Sequence, residues 1–481
     1  MIALTLREVA QAVSGVLVAP ADVDVDVLVI DGPVVTDSRE AGPGGLYVAR
    51  VGEQADGHDF IPDAVARGAV AALVTRAVDG VPCLVVADTQ DAFAALSLEV
   101  VRRLPDLEVV GITGSSGKTS TKDLLGSVLA TIGPTVAPVG SYNSEVGVPL
   151  TVCRVAADTR FLVVEMGARG IGHITYLTTM APPRIGVVLN VGTAHVGEFG
   201  SRAAIATAKS ELVAALPAHG LAVLNADDPA VRAMAEATPA RVCLVGEADD
   251  AQVRATDVVL DDGGRAAFTV HTPAGTRAIH LGLVGRHHVG NALSVIAVAT
   301  ELGLPLDDVV AALEAARPVS RWRMEVIERR DGVTLVNDAY NANPDSMHAA
   351  LGALARMGQG RRTWAVLGTM LELGPESDSL HAEVGADVVA HGIGELLVVG
   401  AAAASLAAGA RAATSGTSGA GGANLPDATT TRVREVPHAE AAQRLLRAEL
   451  APGDVVLFKS SRDAGLRLLG DRMAQDEEEL T

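Results

Sequence analysis

One segment constrains the fold more than any other: Val109-Val-Gly-Ile-Thr-Gly-Ser-Ser-Gly-Lys-Thr-Ser120, an apolar strand that enters a glycine-rich turn and then a helix. Such a turn gathers backbone N–H groups at a helix N-terminus, where they face an anion, and it implies a sheet behind the strand. Gly114 and Gly117 let the backbone approach phosphate oxygens, and Ser115, Ser116 and Ser120 complete the cofactor-binding loop. Lys118 is placed to neutralise the outer phosphates and Thr119 to ligate Mg²⁺. The spacing departs from GxxxxGK[ST], since the first glycine of that pattern would fall at Ile112 and Gly111 stands one residue too early.

The rest of the chain repeats the strand-then-helix theme. Apolar runs at 107–112, 161–165, 185–190 and 221–225 alternate with helical stretches at 119–130 and 201–216, which predicts a parallel sheet covered on both faces. A third block alternates in the same way, with strands at 323–328, 333–337, 364–367, 395–399 and 454–458 and helices at 345–356, 378–391, 438–450 and 463–474. Before Leu107, short apolar runs separated by turn-rich stretches read as a smaller α/β unit. At roughly 100–200 residues per domain, 481 residues suggest three domains. The expected fold is therefore α/β throughout: a small N-terminal domain over 1–106, a central parallel-sheet P-loop domain over 107–318 and a Rossmann-like C-terminal domain over 319–481. Residues 410–431, rich in Ala, Gly, Ser and Thr, read as a surface loop, and Asp476-Glu-Glu-Glu479 as a solvated tail.

Charge and composition exclude several functions. A net charge of -20 opposes any broad grip on nucleic acid or an anionic membrane, and twelve aromatic residues leave little for base stacking. Cys83, Cys153 and Cys243 lie in apolar, strand-like runs with no CxxC pair, which fits core thiols in a reducing compartment. Neither an export signal nor a stretch of about 20 apolar residues is visible, so no membrane insertion and a cytoplasmic location are expected.

Three further residues carry chemistry. Phe161-Leu-Val-Val-Glu-Met-Gly167 ends a strand in Glu165, at the edge where a parallel sheet presents groups to ligands, and Glu165 is a candidate Mg²⁺ ligand. His195 falls in the loop after the next strand, at the same edge, where a lone histidine can equally be a solvated side chain. Lys209, in the helical run Ile205-Ala-Thr-Ala-Lys-Ser-Glu-Leu212, reads on spacing alone as a surface lysine. If burial held it neutral, it could react with CO₂ to form a carbamate with two hard anionic oxygens.

Together these runs resemble the Mur ligases. The resemblance rests on GITGSSGKTS, Ser141-Tyr-Asn-Ser-Glu-Val-Gly-Val-Pro149, EMGARGIGHI from Glu165, NVGTAHVGEFGS from Asn190, AKSEL from Ala208, Gly285-Arg-His-His-Val-Gly-Asn-Ala292 and Asn337-Asp-Ala-Tyr-Asn-Ala-Asn-Pro-Asp-Ser346. It runs in order from Thr36-Asp-Ser-Arg39 to Lys459-Ser-Ser-Arg462.

The family resemblance implies an ATP-dependent ligase that joins a carboxylate to an amine in cell-wall precursor synthesis, with two Mg²⁺ ions. It implies that Thr119, Glu165, His195 and a carbamylated Lys209 hold the metal, and that Lys118, Glu165, His195 and Lys209 form the catalytic set. Asn291 resembles an adenine-side contact, and Arg323 and Asp338 resemble groups that the C-terminal domain supplies to the nucleotide. Tyr340-Asn-Ala-Asn-Pro344 points to D-alanyl-D-alanine as the amine and a UDP-muramoyl tripeptide as the carboxylate, handled by a monomer. Ser38, Arg39, Asn143, Tyr340, Asn341, Asn343 and Ser346 are the substrate candidates. The amides of Asn341 and Asn343 could pair with a dipeptide's ends or simply form a turn, and Arg39 could meet a diphosphate or form an ion pair. A folylpolyglutamate synthase type of ligase is disfavoured by the DSR and YNANP segments. A nucleotide switch without ligation is the alternative from another class.

Overall fold

The computed structural model describes residues 1–52, 55–192, 196–417 and 431–475. His195, Ser418 to Thr430 and the acidic tail therefore lie outside the described residues.

The central sheet has nine strands in the spatial order Gly275–Val284, Arg265–Thr272, Val253–Leu260, Arg241–Gly246, Leu221–Asn225, Ile185–Val188, Glu108–Thr113, Phe161–Glu165 and Thr135–Val136. From Val253–Leu260 to Thr135–Val136 the pairing is parallel, and the far edge is an antiparallel meander. Side chains alternate between faces along each strand. Val109, Leu162, Val164, Val188, Ala222 and Leu224 fill one core, while Val110, Ile112, Val163, Val187, Leu221 and Val223 fill the other. Because both faces are covered, these strands read as unbroken apolar runs.

The first of those cores is shared with the N-terminal domain, whose Leu6, Leu46, Leu73 and Phe93 join it. Helix Thr89–Arg102 carries Phe93 and Leu96 into the shared core, beside helix Gly147–Val152. The N-terminal sheet runs Val16–Val18, Cys83–Val85, Ala69–Val74, Gly45–Val48, Val34–Val35, parallel except for its first pair.

The C-terminal sheet orders six strands as Glu325–Glu328, Thr334–Asn337, Val455–Lys459, Thr363–Leu367, Glu395–Val399 and Arg432–Val436, all parallel but the first. Helices cover its two faces through separate apolar clusters. The linker into this domain is hooked to the central one: Ser320 N–H donates to Asp123 Oδ2 at 3.1 Å, and Gly140 N–H donates to Ser320 Oγ at 3.1 Å. Asp123 is itself paired with the buried Lys122.

Three local expectations change. The antiparallel meander over 253–284 departs from the parallel sheet expected of the central domain. Cys153 caps a helix instead of sitting in a strand, though it is buried as expected. The run from 410 is not a loop at its start, because helix Ala404–Thr417 continues through it. That helix packs on Ser377–Ala390 at backbone distance: a Cβ on Gly385 would come 2.0 Å from the Leu406 carbonyl oxygen, and one on Gly409 1.9 Å from that of Ala382. Small residues here permit close packing; they do not mark a flexible tether.

Candidate active site

The strand Glu108–Thr113 is the switch point of the central sheet, flanked by Phe161–Glu165 on one side and Ile185–Val188 on the other. A crevice opens at the carboxyl end of such a strand. There the chain turns through Gly117, at φ +81°, into helix Lys118–Leu129. Gly117 is needed twice, for its left-handed backbone and because a Cβ would approach Asn291 Oδ1 to 2.9 Å.

The loop is held from below by Asn190. Its Oδ1 accepts from Ser116 N–H at 2.9 Å, its Nδ2 donates to the Ser116 carbonyl at 3.2 Å, and its own carbonyl accepts from Ser115 N–H at 3.1 Å. Ser115 Oγ accepts from Gly192 N–H at 2.9 Å. Lys118 Nζ donates to the Gly114 carbonyl at 2.7 Å, folded back over its own loop.

Beside the loop, Thr119 Oγ1 donates to Glu165 Oε2 at 2.8 Å. The other oxygen of Glu165 accepts from Ser141 Oγ at 2.8 Å and Asn143 Nδ2 at 2.7 Å. Thr119 and Glu165 are thus adjacent hard oxygen donors, buried at 3% exposure each. Lys209 lies in helix Arg202–Ala214, whose Leu212 packs so close to the sheet that a Cβ on Gly111 would meet its Cδ1 at 2.9 Å. This close packing turns Lys209 inward. It is 5% exposed, and burial, with the Lys118 charge added, pushes its ammonium well below the ordinary range. Burial also lowers Lys118, with Glu165 opposing the shift and Arg323 adding to it.

The C-terminal domain supplies the facing wall. Arg323 Nη2 donates to Thr119 Oγ1 at 3.1 Å, across the domain boundary, and the guanidinium stacks 4.2 Å over the Tyr340 ring. Trp322 and Met324 on either side of it adopt positive φ, +61° and +50°. Lys459 Nζ, 2% exposed, pairs with Asp338 Oδ2 at 2.6 Å and donates to the Asn341 carbonyl at 3.1 Å. Asp338 Oδ1 accepts from Met324 N–H at 3.0 Å, so the strand ends at Asn337 and Lys459 set the position of the Arg323 segment. Asn343 caps helix Pro344–Met357, its Oδ1 accepting from Ser346 N–H at 2.9 Å while Ser346 Oγ accepts from Asn343 N–H at 3.0 Å.

These two walls enclose one cavity of about 530 Å³. Its lining includes Ser115, Ser116, Gly117, Lys118, Thr119, Ser120, Asn143, Glu165, Lys209 and Asn291 from the central domain. Arg323, Asp338, Tyr340, Asn341, Asn343 and Ser346 come from the C-terminal domain. Gly114 sits just behind the lining as the carbonyl partner of Lys118. Ser38 and Arg39 are not part of it. They lie in the N-terminal domain, where Ser38 Oγ donates to Asp63 Oδ2 at 2.7 Å and Arg39 pairs with Asp37 at 2.6 Å. Asn190, Ser141, Lys459 and Arg462 were not singled out from the sequence, although Lys459 and Arg462 bound the last matching segment.

Comparison with known proteins matches the same three parts. The Mur ligase family catalytic domain matches residues 33–101, the Mur ligase middle domain 112–299 and the Mur ligase glutamate ligase domain 322–462. The chain is 46% identical to UDP-N-acetylmuramoyl-tripeptide--D-alanyl-D-alanine ligase of Mycobacterium bovis, over 99% of each chain. A crystal structure of MurF from Acinetobacter baumannii is similar with a TM-score of 0.85 and 31% identity, covering 98% of this chain and 99% of that one. MurF ligase from Thermotoga maritima in complex with ADP superposes with a TM-score of 0.78 at 27% identity, covering 94% and 99%.

Proposed function

The chain belongs to the Mur ligase family, and on that premise we propose how its residues join D-alanyl-D-alanine to the terminal carboxylate of a UDP-N-acetylmuramoyl-tripeptide. It is an ATP-dependent ligase of peptidoglycan precursor synthesis. The carboxylate attacks the γ-phosphorus of ATP, ADP leaves, and an acyl phosphate results. The dipeptide's neutral amine then attacks the acyl carbon, and inorganic phosphate departs with the C–O bonding electrons and takes up the proton that the nitrogen loses. The observation that carries this reading is that the phosphate loop and the YNANP segment, from different domains, line one cavity.

The protein's part is charge compensation and positioning. Lys118 would swing from the Gly114 carbonyl to the β/γ-phosphates, and Arg323, anchored over Tyr340, would meet the nucleotide from the other domain. Ser38 and Arg39 of the N-terminal domain would hold the UDP-sugar, Asn143 the far end of the peptide, and Tyr340, Asn341, Asn343 and Ser346 the acceptor dipeptide. Enclosure between two domains excludes water from the acyl phosphate. The working unit is read as a monomer, and no helix among the described residues is long and apolar enough to cross a membrane.

Thr119 and Glu165 fit Mg²⁺, which takes one or two protein oxygens and completes its shell with phosphates and water. When bound, the ions offset charge on the transferring phosphoryl group. The carbamate on Lys209 rests on that residue's own environment, since a lysine held neutral by burial is the form that adds CO₂. His195 remains part of the proposed metal set by its family position.

The test is phosphate release from ATP with each acceptor omitted in turn, followed by mass spectrometry of the product. The ligase requires both the UDP-tripeptide and D-alanyl-D-alanine and yields their condensed product. Phosphate release that needs neither would replace this reading with a nucleotide switch.

A further inference from the structure

The linker that carries Arg323 lies along one face of the phosphate-loop helix, Lys118–Leu129, and runs back toward its start. Thr119 and Asp123, four residues apart, share that face and are about 6 Å apart along the helix axis. Arg323 Nη2 donates to Thr119 Oγ1 and Ser320 N–H donates to Asp123 Oδ2, both at 3.1 Å. Ser320 and Arg323 are thereby matched to Asp123 and Thr119, one contact per helical turn, in a single register.

The Asp123 carboxylate serves two donors with separate oxygens: Oδ1 pairs with the Lys122 ammonium, and Oδ2 accepts from Ser320. Lys122, buried, also donates to the Pro138 carbonyl. Two residues on, Gly140 N–H donates to Ser320 Oγ at 3.1 Å, and the hydroxyl of the next residue, Ser141, donates to Glu165 Oε1 at 2.8 Å. One junction therefore ties together the helix that begins beside Thr119, the segment that steadies Glu165 and the linker that leads to Arg323.

On its other side Arg323 is held by the C-terminal domain. Met324 N–H donates to Asp338 Oδ1 at 3.0 Å, and Tyr340 N–H donates to the Trp322 carbonyl at 3.2 Å. Trp322 and Met324, flanking the arginine, hold φ at +61° and +50°, a conformation costly for a residue with a Cβ and kept where the surroundings over-determine it. The arc from Ser320 to Met324 is thus fixed at one end by the central domain and at the other by the C-terminal domain. Asp123 and Ser320 are absent from the cavity lining, whereas Arg323 is part of it.

We propose that Asp123 is a positioning residue for phosphoryl transfer: through Ser320 it sets where the Arg323 guanidinium stands against Thr119 and the nucleotide. The proposal rests on the place given to Arg323 in the ligase reading above. An amide cannot do the same work, because with its single acceptor oxygen turned to Lys122 it presents its NH₂ group to the Ser320 N–H.

The test is a double-mutant cycle in kcat between Asp123→Asn and Arg323→Ala, on the full chain at saturating substrates, with melting temperatures measured alongside. Arg323→Ala lowers kcat about a hundredfold or more, the loss expected of a donor aimed at developing charge. Asp123→Asn lowers kcat about tenfold or more by displacing the guanidinium, with KM for D-alanyl-D-alanine changed less than about twofold. In the Arg323→Ala background the same substitution changes kcat less than about twofold, since no guanidinium is left to misplace. Should Asp123→Asn not fold, Ser320→Ala serves in its place: it keeps the N–H, loses only the Gly140 bond and lowers kcat about threefold with the same dependence on Arg323. A kcat within about twofold of wild type in Asp123→Asn overturns the proposal, as does an equal loss with and without Arg323, which is the mark of a merely structural tie. If Arg323→Ala loses kcat as expected while Asp123→Asn costs the same in both backgrounds, the positioning role alone falls. If Arg323→Ala itself keeps kcat within about twofold of wild type, the nucleotide role of Arg323 falls and the positioning role with it.

Discussion

The two walls of the cavity are built on different principles. In the central wall the backbone does most of the holding: the phosphate loop is tied to Asn190 and Gly192, and Thr119 and Glu165 face each other from a helix start and a neighbouring strand end of one sheet. In the C-terminal wall side chains do more of the holding, with Arg323 on Tyr340, Lys459 on Asp338, and His381 and Ser461 accepting from the Met370 and Leu371 N–H groups. The first wall is preformed by the fold of one domain. The second is delivered to it, and its anchors set where it arrives. Substitutions should therefore cost chemistry in the first wall and assembly in the second.

The largest effect should come from Lys118→Ala. Removing the charge that balances the β/γ-phosphates should lower kcat about 10²- to 10³-fold at saturating ATP. The melting temperature should stay near wild type, since the side chain's one hydrogen bond is to its own loop. Ligation retained at a tenth of wild type or more would mean that the loop does not cradle phosphate.

Lys209 tests whether the preformed wall sacrifices stability for function. Its folded-state ammonium lies well below the ordinary value of 10.5. Between those two values the unfolded chain binds the extra proton, so stability should rise with pH across that window. Lys209→Met removes the buried amine; in bicarbonate-free buffer it should melt higher than wild type at neutral pH and show a shallower pH slope, while losing ligation. Lys209→Ala should lose activity and regain part of it with short-chain carboxylates, whose oxygens can stand where the carbamate was. Lys209→Arg should not respond, because its cation fills the space. Full activity in Lys209→Ala without additives would return the residue to a structural role.

In the delivered wall, Lys459→Met leaves the Asp338 carboxylate without its buried partner. Stranding one member of such a pair should destabilise the C-terminal domain by about 3 kcal/mol. Lys459→Met with Asp338→Leu should recover part of that loss in a double-mutant cycle, yet not recover activity. Additive losses would show that the two charges do not depend on each other.

Which parts were legible in the sequence follows from the same contrast. Strands Phe161–Glu165, Leu221–Asn225 and Glu395–Val399 could be read to the residue because a sheet covered on both faces demands an unbroken apolar run. The meander over 253–284 could not, since its strands alternate buried and open positions and lack the intervening helices that marked the others. Helix Ala404–Thr417 was hidden by Ala, Gly and Ser, whose value there is close packing against Ser377–Ala390 and not flexibility. In the site, the central wall lay in contiguous motifs. Lys459 and Ser461, close together in sequence, lie far in the chain from the loop at 368–371 and meet it only once the C-terminal sheet brings its strand ends together, while Asn190 acts through one loop's backbone. No local pattern announces such partners.

The smallest effect separates two residues that the sequence treats alike. Asn341 and Asn343 were both expected to face the dipeptide, but Asn343 is 6% exposed and its side chain caps helix Pro344–Met357, whereas the Asn341 side chain is exposed at the cavity. Asn343→Ala should cost about 1 kcal/mol of stability through the lost cap, and it should raise KM for D-alanyl-D-alanine as the helix start loosens. Asn343→Asp, which can accept the same Ser346 N–H bond, should restore the stability. Asn341→Ala should leave the melting temperature unchanged and raise KM for the dipeptide severalfold with little change for ATP, the size expected of one neutral hydrogen bond. Thermal melts paired with KM values for both substrates check this. If Asn341→Ala destabilised the protein as much as Asn343→Ala does, the segment would be anchoring turn alone, and the delivered wall would have to recognise its substrate through other groups.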